Sequence, residues 1–146
     1  MSRGLAIVLT VAVGGLVGLQ APMNGRLRGA IGGVPAAVWN NLLGVSALLL
    51  LLVLTRSAFA TDDLKGVPWW AFLGGLCGAA FVFVSLTTVG TLGAAGITAA
   101  AITGQLTISI IVDQFGLVGV TRQPITPVRI VGVLLLAAGV VLIVRD

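Results

Sequence analysis

Sixteen residues from Gly4 to Leu19 run without a charged side chain and with a single polar one, Thr10, and comparable apolar stretches recur down the chain. A bilayer core about 30 Å thick needs roughly 20 mostly apolar residues per helix. Five segments meet that need: 4–22, 35–55, 68–89, 92–112 and 128–144. Backbone polar groups have no partners in hydrocarbon, so such segments must be helices that satisfy their own hydrogen bonds. The fold expected is an all-α integral membrane protein of five transmembrane helices, forming a single membrane domain over residues 1–146.

Composition agrees and closes off several functions. Only 8% of residues are charged and 58% are hydrophobic, against about 25% charged in an ordinary soluble domain. There is no His, no Tyr and one Cys, Cys77, so neither a metal site nor an intrachain disulfide is expected. General acid–base chemistry would rest on Asp62, Asp63, Asp113 or Asp146 alone, so no enzyme and no cofactor are expected. The net charge of +4 comes from basic residues scattered singly or in pairs, which read as interfacial anchors and not as a nucleic-acid surface. Membrane lipid is the partner this composition implies.

The first span ends at Pro22, the second is closed by Arg56, and the stretch "RSAFATDDLKG" forms the most polar loop. The third begins at "PWW", placing Trp69 and Trp70 where aromatic belts sit. Little more than "GTLG" joins the third to the fourth, so a tight antiparallel hairpin is expected there. A cleavable signal peptide is the competing reading of the first span, but "GLQAP" lacks an A-x-A site and the run is long. With an odd number of crossings the termini lie on opposite faces. Arg3, Arg56, Lys65, Arg122 and Arg129 then share the N-terminal side, against Arg26, Arg28 and Arg145 on the other. The surplus of two favours a cytoplasmic N-terminus but is a weak orientation signal, so insertion in both directions stays open.

Glycines inside the spans, among them Gly14, Gly18, Gly74, Gly78 and Gly104, are the expected helix-packing positions, because small residues let backbones approach in lipid. Two uses stand open: packing within one bundle, or a seam between two copies.

The polar residues inside the spans carry the functional question. Thr98, Gln105 and Ser109 fall within about 40° to 60° of one another around the fourth helix, and Asp113 continues the stripe at its end. Such a stripe either ties helices together by hydrogen bonds or lines a solute pathway. Asp113 is the acidic residue nearest a span; it reads as an interfacial residue at the helix end or as a proton or cation site, with Arg122 or Arg129 near enough in sequence to pair with it. A second group sits at "GLQAPMNGRLRG": Gln20 and Asn24 are four residues apart, hence on one face if the helix continues through Pro22, and Asn40 and Asn41 enter the second helix from the same side. They form either a polar vestibule or an ordinary helix end at the headgroups.

Four stretches, in this order, resemble a known family. "LQAPMNGRLR" (Leu19 to Arg28), "PWWAFLGGLCGAAFV" (Pro68 to Val82), "TGQLTISIIVDQFG" (Thr103 to Gly116) and "RIVGVLLLAAGVVLI" (Arg129 to Ile143) are similar to the corresponding segments of the YdcZ-like small membrane proteins of the drug/metabolite transporter superfamily, relatives of the EamA-type transporters. The chain departs from that family at Gln114, where members often carry His, which weakens a proton relay at that point. The resemblance implies half of an EamA-type inverted-repeat transporter: a five-helix protomer of the bacterial inner membrane. Such a protomer is expected to work as an antiparallel homodimer, or as a heterodimer with a related small membrane protein, and to move a small metabolite or xenobiotic of unknown identity. Under it, Gln20, Asn24, Asn40, Thr98, Gln105 and Ser109 line the pathway and Asp113 is the lesser candidate for coupling. A non-transporting accessory protein and a passive channel are the alternatives. The small multidrug exporters offer a contrast, since they depend on a membrane-embedded Glu and this chain has no Glu.

Overall fold

The computed structural model of the chain describes residues 2–57, 64 and 66–145. Asp62, Asp63 and Lys65 of the polar loop, and Asp146 of the tail, lie outside them. Among the described residues the regular structure is entirely helical: α1 (Arg3–Ile31), α2 (Gly33–Leu54), α3 (Gly74–Phe115) and α4 (Pro127–Val144), with short 3-10 turns at Trp69–Leu73 and Leu117–Gly119. All four long helices are long and apolar enough to cross a membrane, α3 together with the 3-10 turn leading into it.

Helix α1 does not close at Pro22. It continues for nine more residues, so "LQAPMNGRLR" is helical throughout. Proline removes one N–H and leaves the Gly18 carbonyl without its helical donor, a loss that membrane helices tolerate where other groups or local adjustment compensate. Gly32 alone then separates α1 from α2, at φ 91° and ψ 163°. A side chain there would meet its own backbone, so the one-residue turn depends on glycine.

The end of α2 carries its own stop signal. Ser57 N–H donates to the Leu52 carbonyl and Arg56 N–H to that of Val53. This is the paired bonding of a Schellman cap, with Arg56 at φ 52° in the position glycine usually holds. Thr55 adds a hydroxyl bond to the Leu51 carbonyl at 2.8 Å.

The expected third and fourth spans both fall in α3, and the expected "GTLG" loop is not a loop. Gly90, Thr91 and Leu92 are helical, and the interruption falls on Gly93 alone, at φ 66° and ψ 171°. That conformation is essentially restricted to glycine. Helix α4 starts one residue earlier than expected, with Pro127 at the first helical position and Thr126 as its N-cap, the hydroxyl accepting from Arg129 N–H.

Contacts gather into two compact units: residues 20–90, and residues 1–19 with 91–146. In the first, Ala36, Ala37, Val82 and Leu86 form a buried cluster with Leu27 packed against it. Two alanines at the start of α2 let α1 and the first segment of α3 come close. A Cβ added at Gly25 would fall 2.6 Å from Val89 Cγ1. In the second unit the close approach is at Gly96, where a Cβ would lie 3.2 Å from Val144 Cγ2. By contrast, a Cβ at Gly14, Gly18, Gly74, Gly78 or Gly104 would meet nothing within 4 Å. Within its own unit, then, none of the expected packing glycines makes a close approach. Gly25 and Gly96 do.

Candidate functional site

Because α1 runs unbroken through Pro22, Gln20 and Asn24 share one face, and α2 places Asn40 opposite them. Gln20 Nε2 donates to Asn40 Oδ1 at 3.2 Å, and Asn40 Nδ2 donates to Asn24 Oδ1 at 3.0 Å. Three carboxamides thus form a directional relay between two helices. Asn24 is buried, with Gln20 and Asn40 half-buried. Asn41 does not join them; it donates to the Ala37 carbonyl of its own helix at 2.8 Å.

The relay is neutral. Each carboxamide can donate twice and accept twice, so three of them linked by two bonds keep unspent donors and acceptors. One helical turn beyond Asn24, Arg28 Nη1 donates to the carbonyls of Leu86 and Thr87 at 3.4 Å and 3.2 Å. A cation there complements the carbonyl-rich end of the first α3 segment, just before Gly93. Ser85, on the same segment, is 5% exposed, and its hydroxyl has no partner among the described residues. Sequence reasoning missed Ser85, Arg28 and Gly25. The period of "FVFVSLTTVG" contains the signal for Ser85, since Val82, Ser85, Leu86 and Val89 fall on one face.

Thr98, Gln105, Ser109 and Asp113 belong to the other unit. A groove of about 520 Å³ opens there, lined by Gly18, Ala94, Thr98, Ala99, Leu135 and Gly139 among others. It is apolar. Thr98 turns its hydroxyl back to the Ala94 carbonyl at 2.9 Å. Gln105 and Ser109 are exposed.

Asp113 pairs with Arg129, of the two arginines expected: Nη1 donates to Oδ2 at 3.2 Å, with the two side chains 34% and 32% exposed. Arg129 Nη2 also reaches Gln123 Oε1 at 2.7 Å. Arg122 instead donates from Nε to the Gln114 carbonyl, and the Gln114 side chain accepts from Ile125 N–H. The segment between α3 and α4 is thereby folded back on the end of α3. Trp69 and Trp70 stand exposed just before α3.

The pattern of the family described as "Putative inner membrane exporter, YdcZ" matches residues 5–142, nearly the whole chain. The chain belongs to the YdcZ family. It is 28% identical over 147 residues to the inner membrane protein YdcZ of Escherichia coli (strain K12), covering 99% of this chain and 98% of that one. No solved structure matches it. Membership makes it a multi-pass protein of the bacterial inner membrane and, in general terms, a membrane transporter.

Proposed function

We propose that this YdcZ-family chain is one protomer of an antiparallel dimer, a homodimer or a pair with a related chain, that moves a small metabolite or xenobiotic across the inner membrane by alternating access. The break of α3 at Gly93 supports a reading of five crossings. An unbroken helix of 42 residues would be about 63 Å long, twice the hydrocarbon thickness. Broken at Gly93 it yields two segments, each of span length.

The observation that carries the transport reading is the relay of Gln20, Asn40 and Asn24. Polar side chains inside membrane helices are costly, and a relay with unspent donors and acceptors suits a solute that can hydrogen-bond, while holding no fixed charge that would select ions. Thr98, Gln105 and Ser109 are pathway residues, and Asp113 a coupling residue, on the sequence argument.

The test is export from cells challenged with a panel of toxic small molecules. Wild-type protein is expected to confer resistance to some of them, and Asn40→Ala and Asn24→Ala, inserted at equal levels, to lose it. Equal resistance in all three would take the relay out of the pathway. Resistance from none, with a partner protein retained on purification, would favour the accessory reading.

A further inference from the structure

Helices α1 and α3 each belong to both compact units: the chain passes from one unit to the other between Leu19 and Gln20, and again between Gly90 and Thr91. These two crossings coincide with the two weak points of the helical backbone. Among the described long helices, Pro22 is the one proline beyond a first turn, and Gly93 the one residue with non-helical φ and ψ. Pro22 leaves the Gly18 carbonyl without its helical donor, so the missing bond spans Leu19 and Gln20, where the first crossing lies. Gly93, at φ 66° and ψ 171°, interrupts α3 just past Thr91, beside the second. The unit boundaries follow from contacts and the proline and glycine from the sequence, so neither fixes the other.

On either side the bracing stays inside a unit. In residues 20–90 the relay joins α1 to α2, and Arg28 ties α1 to the first α3 segment. In the other unit Asp113 joins the second α3 segment to α4 through Arg129, and Gln114 holds Ile125. Bodies braced within themselves and linked by weakened backbone are the elements of a hinge, and sharp bends in helices form at proline and at interrupted bonding. We infer that the 18–22 turn of α1 and Gly93 of α3 are a paired hinge about which the two units pivot, and that this pivot is the motion of alternating access. The inference rests on the transport reading above and deepens it by naming the moving parts. Two crossings confine the pivot to the line that joins them, where one would leave the units free to swivel. Gln20, Asn24 and Asn40 all belong to residues 20–90, so the relay travels intact with its unit.

Pulsed electron paramagnetic resonance between paired spin labels in lipid bilayers reads the pivot directly. Each labelled chain is diluted in unlabelled Cys77→Ser protein, so that only distances within one chain are measured. Cys77 with Ser46→Cys lies within residues 20–90, and Thr10→Cys with Thr107→Cys, in a Cys77→Ser background, within the other unit; all four positions are exposed. Cys77 with Thr107→Cys spans the two. The spanning distance distribution is expected to be about twofold broader than either internal one. Gly93→Ala is expected to fold poorly, so Pro22→Ala is the deciding variant: it returns an N–H to the Gly18 carbonyl and favours a straight helix. It should narrow the spanning distribution to the width of the internal pairs and slow export severalfold. A spanning distribution as narrow as the internal ones, or one that Pro22→Ala leaves broad, would overturn the hinge. Export at the wild-type rate by a narrowed Pro22→Ala protein would overturn its part in transport. A broad distribution that narrows in Pro22→Ala, from a wild-type protein that exports none of the toxic panel, would uphold the hinge and count against the transport reading alone.

Discussion

Asn40 and Asn24 are joined across two helices by a 3.0 Å hydrogen bond in which Asn40 donates, while Asn40 itself accepts from Gln20 at 3.2 Å. The central residue of the relay is therefore the one on which both bonds depend. Asn40→Ala should leave the buried Asn24 carboxamide without its donor, a loss worth about 1–3 kcal/mol. Thermal unfolding in detergent should show Asn40→Ala less stable than Asn41→Ala, because Asn41 bonds only to its own helix. Equal losses would mean that the relay contributes nothing beyond an ordinary helix contact.

Gly25 should tolerate no side chain unless Val89 yields. The added Cβ of Gly25→Ala would sit 2.6 Å from Val89 Cγ1, closer than packed carbons approach. Overpacking of this kind costs about 1–3 kcal/mol. The double variant Gly25→Ala with Val89→Ala should recover most of the lost stability. If Gly25→Ala unfolds at the wild-type temperature, α1 and α3 are not in contact at this point.

Gly93→Ala tests the break in α3. At φ 66° and ψ 171° an alanine is strained by about 1–3 kcal/mol and favours continuing the helix. Folded yield should fall sharply for Gly93→Ala and hardly at all for Gly90→Ala, where φ is helical and a Cβ meets nothing. Indifference at Gly93 would argue for a single straight helix.

Asp113 and Arg129 are each about one-third exposed, so their pairing is screened and modest, about 0.2–1 kcal/mol. A double-mutant cycle with Asp113→Asn and Arg129→Gln should show coupling in that range, shrinking as salt is raised. Coupling unchanged by salt would point to a buried pair instead.

The apolar membrane helices were legible because hydropathy alone decides what can cross a bilayer, and the shared face of Gln20 and Asn24 because residues four apart on a helix lie together. What misled was punctuation. Pro22 reads as a stop in water but is carried inside α1, and "GTLG" reads as a four-residue turn although Gly93 alone breaks the helix. The close approaches inside each unit, at Gly25 and Gly96, escaped the sequence for a related reason. A small-xxx-small spacing identifies a face but not what lies opposite it, and Gly25 owes its role to Val89, 64 residues away. Arg129 was one of two candidates for Asp113; the Thr126–Pro127 helix start, by fixing where α4 begins, decides between them.

The proposed antiparallel homodimer requires a five-crossing chain that inserts in both directions. Single cysteines at Ser2 and at Arg145, in a Cys77→Ser background, can be labelled from each face of intact cells. The prediction is partial labelling of both sites from both faces, with complementary fractions: the share of Ser2 outside equals the share of Arg145 inside. Labelling of Ser2 from one face only would contradict a self-sufficient antiparallel homodimer.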